Sequence, residues 1–134
     1  MPRLCCSLAL FCCAIASAQS LTVSVVDEHT GRPLKNVPVS IRYNFMEPRR
    51  ALKGEFKTVK AGLDGRAVFP DVHIPAGGFS VSVFSMGYRS AELEPVFFPQ
   101  GTDRQLMNPQ FTSLPAQITI RAHKNTLGNP CAGA

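Results

Sequence analysis

The side chains that could hold a metal ion fall into two short groups. Asp27, Glu28 and His29 are consecutive, and Asp71 lies two residues before His73. On a strand, Asp71 and His73 would point to the same face and present one carboxylate and one imidazole. A zinc site takes three or four protein ligands, and neither group supplies a complete set of suitable geometry. The sequence therefore predicts solvated turn residues at both places, with no metal and no other cofactor.

Motifs of the common catalytic machineries are missing from the chain. The sequence contains no Gly-x-Ser-x-Gly nucleophile elbow, no His-Glu-x-x-His zinc motif and no glycine-rich phosphate loop that opens a helix. We therefore expect a protein that is not an enzyme.

The densest basic stretch follows residue 46. Arg49, Arg50 and Lys53 lie in the segment 46–55, and Lys57 and Lys60 come directly after it. Such a patch could contact an acidic polysaccharide, lipid head groups or an acidic protein. The other explanation is a solvated loop and an edge strand that lysines protect from aggregation, because scattered exposed charges contribute little individually.

Two aromatic residues are candidates for stacking on a sugar ring. Phe98 and Phe111 lie beside or within the long segment 99–114, and the chain has no Trp. The alternative is that both side chains tie this segment to the core, because burying a large apolar side chain contributes about 1.5–3 kcal/mol.

The N-terminus has the pattern of an export signal. Arg3 precedes an uncharged, mostly apolar run, and Ala16-Ser17-Ala18 matches the site that a signal peptidase accepts. Residues 1–18 are therefore predicted to be a cleaved signal peptide. The apolar run is shorter than the ~20 residues that a membrane-spanning helix needs, so we expect no stable membrane insertion after cleavage. The predicted location is secreted or periplasmic.

The cysteine content and the net charge limit which disulfides can form and which partners are expected. Four of the five cysteines would leave with the signal, so Cys131 alone remains and no internal disulfide can form. Whether Cys131 pairs between chains stays open. The formal net charge of +5 is mild. It favours solubility and weak attraction to anionic surfaces, and we expect no nucleic-acid partner for an exported protein.

Period-two alternation of apolar residues dominates the rest of the chain. The clearest example is Val37, Val39, Ile41, Tyr43 and Phe45, which alternate with mostly polar residues. Similar patterns predict strands at 21–25, 56–60, 66–69, 79–83, 91–97 and 117–122. Asp64-Gly65 predicts a hairpin turn between two of them. Seven short strands in 134 residues indicate one antiparallel Greek-key β-sandwich, predicted over 19–123 with a flexible tail at 124–134.

The turn motifs resemble those of the carboxypeptidase regulatory-like domain family. The segments that carry the resemblance are Val26-Asp27, Thr30-Gly31-Arg32-Pro33, Asp64-Gly65-Arg66, Pro75-Ala76-Gly77-Gly78 and Gly87-Tyr88-Arg89. The resemblance implies a prealbumin-like sandwich of seven strands, exported and without catalytic residues, in a group of carbohydrate-binding-like folds. Its motifs specify the fold far better than an activity. The chain departs from the family pattern at Ala61-Gly62 and in the length of 46–55.

The sequence therefore predicts a binding or structural module for another exported protein or a cell-surface component. A rigid sandwich would present the segments 46–55 and 99–114, with candidate contacts at Arg49, Arg50, Lys53, Phe98 and Phe111. An alternative function is a carbohydrate-binding module that uses the same two loops, in which case the ligand is a polysaccharide.

Overall fold

The strands follow the alternation of the sequence, although several differ from the prediction in length and pairing. The structure is a computed structural model, and it describes residues 19–83, 85, 87–102 and 107–124. The predicted signal 1–18 and the tail residues 125–134, including Cys131, lie outside the described residues. The elements in chain order are β1 (Gln19–Asp27), β2 (Pro38–Tyr43), α1 (Pro48–Ala51), β3 (Phe56–Lys60), β4 (Arg66–Val72), β5 (Phe79–Val83), β6 (Tyr88–Ser90), β7 (Val96–Phe97), β8 (Gln110–Phe111) and β9 (Gln117–Lys124).

Two sheets form the predicted β-sandwich. The first has the strand order β4-β1-β9-β6 and the second the order β3-β2-β5-β7-β8. Most pairs are antiparallel, but β1 and β9 are parallel, and so are β7 and β8. No helix in the described ranges is long and apolar enough to cross a membrane.

The core lies between the two sheets and contains the residues that the alternation places on one face. Leu21, Val23 and Val25 of β1 are fully buried, and so are Val39 and Ile41 of β2. Large aromatic side chains complete the core near β7, where the rings of Phe79 and Phe97 stack with centroids 4.6 Å apart. Burial of these apolar side chains is the main stabilising contribution in a fold without a described disulfide.

Three local predictions need correction. Of the predicted strand 91–97 only Val96–Phe97, which is β7, is a strand, and the unpredicted strand β6 (Tyr88–Ser90) before it lies on the other sheet. Asp64-Gly65 does form a turn, and Gly65 has a φ of 75°, but it is not a hairpin turn because β3 and β4 belong to different sheets. The segments predicted as loops each contain a regular element, α1 within 46–55 and β8 within 99–114.

Candidate functional site

One side of β9 is only partly covered by a neighbouring strand. On one side β9 pairs with β1 from Gln117 to Ala122. On the other side the three-residue β6 pairs only with the last three residues of β9, and one further hydrogen bond joins Ala91 N–H to Arg121 O at 2.8 Å. The first part of β9 therefore has an edge that no described strand covers.

Backbone groups of Gln117 and Thr119 point to this open side. Thr22 N–H donates to Ala116 O and Glu28 N–H donates to Ala122 O, both at 3.0 Å. Since backbone groups alternate in direction along a strand, the even-numbered residues of β9 bond to β1. The N–H and C=O groups of Gln117 and Thr119 face away from β1 and have no strand partner among the described residues.

An apolar groove lies beside this open edge. It has a volume of about 300 Å³. Phe111 and Ile118 line it together with Pro95, Pro109 and Pro115. Prolines have no N–H to donate, so three of the lining residues offer an occupant no backbone donor. The groove ends near the ion pair between Arg121 and Glu92.

The two aromatic candidates differ in what they can contact. Phe98 is 3% exposed, so its ring has no open face for a ligand. Phe111 is partly buried and stacks on Phe97 with centroids 4.8 Å apart, and it also lines the groove. Both side chains tie the segment 99–114 to the sandwich, and only Phe111 also has access to a cavity.

The basic candidates lie on and after α1. Arg49 and Arg50 are exposed residues of this single helical turn, and exposed Lys53 follows it. Arg50 Nε lies 3.2 Å from Glu47 Oε2, so one of the three charges is partly balanced by a surface ion pair. Arg49 and Lys53 have no ion-pair partner among the residues that the structure describes.

The turn at Gly77-Gly78 joins the bases of the two long segments. Met46 N–H donates to Gly77 O at 2.8 Å, and Phe45 N–H donates to Gly78 O at 3.1 Å. A Cβ on Gly78 would lie only 2.6 Å from Phe97 O, and Gly78 has a φ of 71°. Glycine is required here because the backbone is left-handed and closely packed. The segments 46–55 and 99–114 therefore leave the second sheet at the same end.

A polar cluster lies at the opposite end of β9. Glu28 Oε1 is 3.1 Å from His29 Nε2 and is hydrogen-bonded to His123 Nδ1. This hydrogen bond, with the nearby imidazoles, lowers the pKa of the Glu28 carboxyl, and desolvation acts in the opposite direction. Two imidazole nitrogens and a carboxylate oxygen are ligands that zinc accepts.

Sequence reasoning found part of this cluster and missed the groove. It grouped Glu28 and His29 but not His123, which lies 95 residues from Glu28. Asp71 and His73, the other group considered in the sequence, do not lie on one strand, because β4 ends at Val72 and His73 follows it. The groove exists because β6 is short, and no residue pattern predicts where that strand ends. A weaker signal for the groove itself is the presence of Pro95, Pro109 and Pro115, which line it.

No protein-family model matches the chain, and no curated protein matches it. The resemblance to the carboxypeptidase regulatory-like family therefore depends on the turn motifs quoted above.

Solved structures show the same kind of sandwich in pilus proteins. The chain is similar to the pilus 2b backbone protein of group B streptococcus, with 15% identity over 81% of this chain and 42% of that chain and a TM-score of 0.50. The full-length major pilin SpaD from Corynebacterium diphtheriae matches with 18% identity over 80% of this chain and 30% of that chain, with a TM-score of 0.49. The chain spans less than half the length of each, and the likeness to the streptococcal protein shows the fold.

Proposed function

We propose that the protein is a non-enzymatic structural module of the cell exterior that attaches to another exported protein. It does so by accepting one extended segment of that protein along the first half of β9. The observation that carries this proposal is the outward-facing backbone of Gln117 and Thr119 beside an apolar groove. Adding a strand to an open sheet edge is a recurrent way in which proteins bind extended peptides.

The geometry of β9 specifies the chemistry of the segment. Ile118 and Ile120 lie on the core side of β9, whereas Thr119 and Arg121 are exposed. A strand added next to β9 would continue this alternation. Every second side chain would enter the groove above Phe111 and should be apolar. The residues between them would face solvent near Arg121, and acidic ones suit a chain of net charge +5.

The fold supports this role without naming the partner. The similar protein of group B streptococcus is by its description the backbone protein of a pilus. A sandwich built to join a neighbouring protein needs a rigid core and an accessible edge. The alternative of polysaccharide binding has less support, because Phe98 is buried and Phe111 already stacks on Phe97.

The test uses a synthetic peptide of seven residues in which Val alternates with Glu or Thr. The uncovered stretch of β9 is roughly 14 Å long at about 3.4 Å per residue, so seven residues extend past both of its ends. We expect the peptide to slow hydrogen exchange at the Gln117 and Thr119 amides of the purified chain. A peptide of the same composition without alternation is the control.

Two proline variants locate the binding edge. Thr119→Pro removes an outward N–H of β9, and Thr58→Pro removes an outward N–H of β3, the edge strand of the other sheet. Proline is tolerated at such edge positions, and a thermal melt of each variant checks that it is folded. Peptide binding should be lost in Thr119→Pro and kept in Thr58→Pro. The proposal would be contradicted if both variants lost peptide binding equally, or if the peptide did not protect the two amides. It would also be contradicted if the chain associated with itself through β9, or if it bound an insoluble polysaccharide and Phe111→Ala abolished that binding.

A further inference from the structure

The cluster of Glu28, His29 and His123 joins two parts of the chain that are far apart in sequence. Glu28 and His29 belong to the turn that follows β1, and His123 is the penultimate residue of β9. The parallel pairing of β1 with β9 brings Asp27 opposite Ala122. One ligand-type atom from each of the three side chains lies within 4.8 Å of the other two.

The backbone of the turn is held in place before any ligand binds. Asp27 Oδ1 accepts hydrogen bonds from His29 N–H at 2.8 Å and Thr30 N–H at 3.0 Å. Gly31 N–H donates to Asp27 O at 2.9 Å. Glu28 N–H donates to Ala122 O on β9 at 3.0 Å. Only side-chain rotation is therefore needed to bring the three groups onto a common centre.

The distances suit a small ion with nitrogen and oxygen ligands. Zinc bonds of about 2.0–2.2 Å to imidazole and carboxylate place tetrahedral ligands about 3.4 Å apart. Glu28 Oε1 and His29 Nε2 are already 3.1 Å apart. The two imidazole rings lie at an interplanar angle of 66° with centroids 6.2 Å apart, so they do not stack face to face.

We infer that Glu28, His29 and His123 bind one Zn²⁺ ion through two imidazole nitrogens and one carboxylate oxygen. A water molecule would take the fourth position, next to the shallow cavity lined by Arg89, Ser90 and Ala91. Two imidazole ligands favour a transition-metal ion over Ca²⁺ or Mg²⁺, which prefer oxygen ligands. The ion would cross-link the turn after β1 to the end of β9, at the opposite end of that strand from the groove.

The chain offers a matched control for the histidines. It has three histidines in all, and the third, His73, lies elsewhere, next to Tyr43 and Lys57. Calorimetric titration of the purified chain with ZnCl2 should show one ion per chain. His29→Ala and His123→Ala should each weaken binding by at least about tenfold, since even supporting groups of metal sites contribute that much. His73→Ala should leave the affinity unchanged.

Two further measurements exclude other zinc sites. Cys131→Ser should leave the affinity unchanged, and X-ray absorption at the zinc edge should show nitrogen and oxygen neighbours, including two imidazoles, without sulfur. Zn²⁺ should raise the melting temperature of the chain, EDTA should reverse this, and His29→Ala should abolish it. Because His29 is 77% exposed, this variant should fold normally. The inference would be overturned if zinc did not bind, or if His73→Ala weakened zinc binding as much as the other two variants. Sulfur ligation of the ion would also overturn it.

Discussion

The edges presented by β3 and by β9 belong to the same sandwich but are built in opposite ways. β3 pairs with β2 on one side only, and two of its five residues are lysines, Lys57 and Lys60. The uncovered half of β9 carries Gln117 and Thr119 on its exposed face and has an apolar groove beside it. Lysines on an edge strand oppose pairing with another chain, because a partner strand would have to desolvate or surround their charges.

This difference shows that an open strand edge becomes a binding site only when its surroundings allow it. Both edges present backbone donors and acceptors, since Tyr43 N–H donates to Glu55 O and Ala61 N–H donates to Val37 O, which leaves Thr58 facing outward. The groove next to β9 adds apolar surface that a partner can cover, and Phe111 and Ile118 line it. The β3 edge also has a cavity beside it, of about 480 Å³, but the charged residues Glu55 and Lys57 line it together with Phe56.

The largest expected contrast concerns two aromatic residues, a buried one in the stack that reaches the groove and an exposed one on β3. Phe97 is fully buried and stacks between Phe79 and Phe111. Phe97→Ala should therefore lower the free energy of unfolding by about 3–5 kcal/mol. Phe56 is 52% exposed, and Phe56→Ala should change it by no more than about 1 kcal/mol. Urea denaturation measures the free energy of unfolding of both variants. Similar losses would show that the aromatic stack beside the groove stabilises the fold no more than exposed Phe56 does.

The second contrast compares two glycines with positive φ that differ in the space around them. Gly78 has no room for a Cβ, because Phe97 O would lie 2.6 Å away, whereas nothing lies within 4 Å of a Cβ at Gly54. Gly54→Ala should cost only the left-handed strain of about 1–2 kcal/mol. Gly78→Ala should cost about 1–3 kcal/mol more, because the backbone must shift. The measurement is the melting temperature of each variant. Equal shifts would contradict the close packing at Gly78.

A third prediction concerns pH and the connection between β6 and β7. Burial raises the pKa of Glu94, and Arg42 partly opposes this shift. The folded state therefore binds the proton more tightly than the unfolded state, so this residue makes stability fall as pH rises through the range between the two pKa values. Glu94→Gln should remove that dependence and stabilise the protein at pH 7 by less than about 1 kcal/mol, because solvent still screens the half-buried group. Denaturation at pH 4 to 7 tests the sign.

The smallest effect on stability is expected from exchanging the character of the two edges. Thr119→Lys, and the double change of Lys57 and Lys60 to Thr, should each alter stability by no more than about 0.5 kcal/mol per site, because the side chains are mostly exposed. Thr119→Lys should nevertheless weaken binding of the alternating peptide. The double variant should associate at high concentration, as sedimentation would show. If Thr119→Lys left peptide binding unchanged, the peptide would not bind at the β9 edge.

The long strands could be predicted from the sequence because alternation reports which face is buried. Leu21, Val23 and Val25 show this for β1, and the same pattern locates β2 and β5. Strands of two or three residues are too short to show a period. Accordingly β7 falls inside the longer predicted strand 91–97, β8 falls inside the predicted loop 99–114, and no strand is predicted at β6. Ser80 alternates with the apolar residues of β5, a pattern typical of a solvent-facing side chain, yet it is 2% exposed.

The candidate sites were harder to predict because both depend on pairings between distant segments. The groove exists because β6 stops at Ser90 while β9 continues along β1 to Gln117. The polar cluster exists because β9 brings His123 to Glu28 across 95 residues. A residue pattern identifies which side chains are available, but the strand order decides which of them meet.

The parallel pairing of β1 with β9 has a consequence for how the domain carries force. β1 begins at Gln19 and β9 ends at Lys124, and the two strands run side by side in the same direction. Tension applied between these two residues acts along the strands and in opposite directions on each. The hydrogen bonds between β1 and β9 are then loaded together in shear, instead of opening one after another from an end. A component placed in line with such tension would resist extension along the axis in which the chain enters and leaves the sandwich.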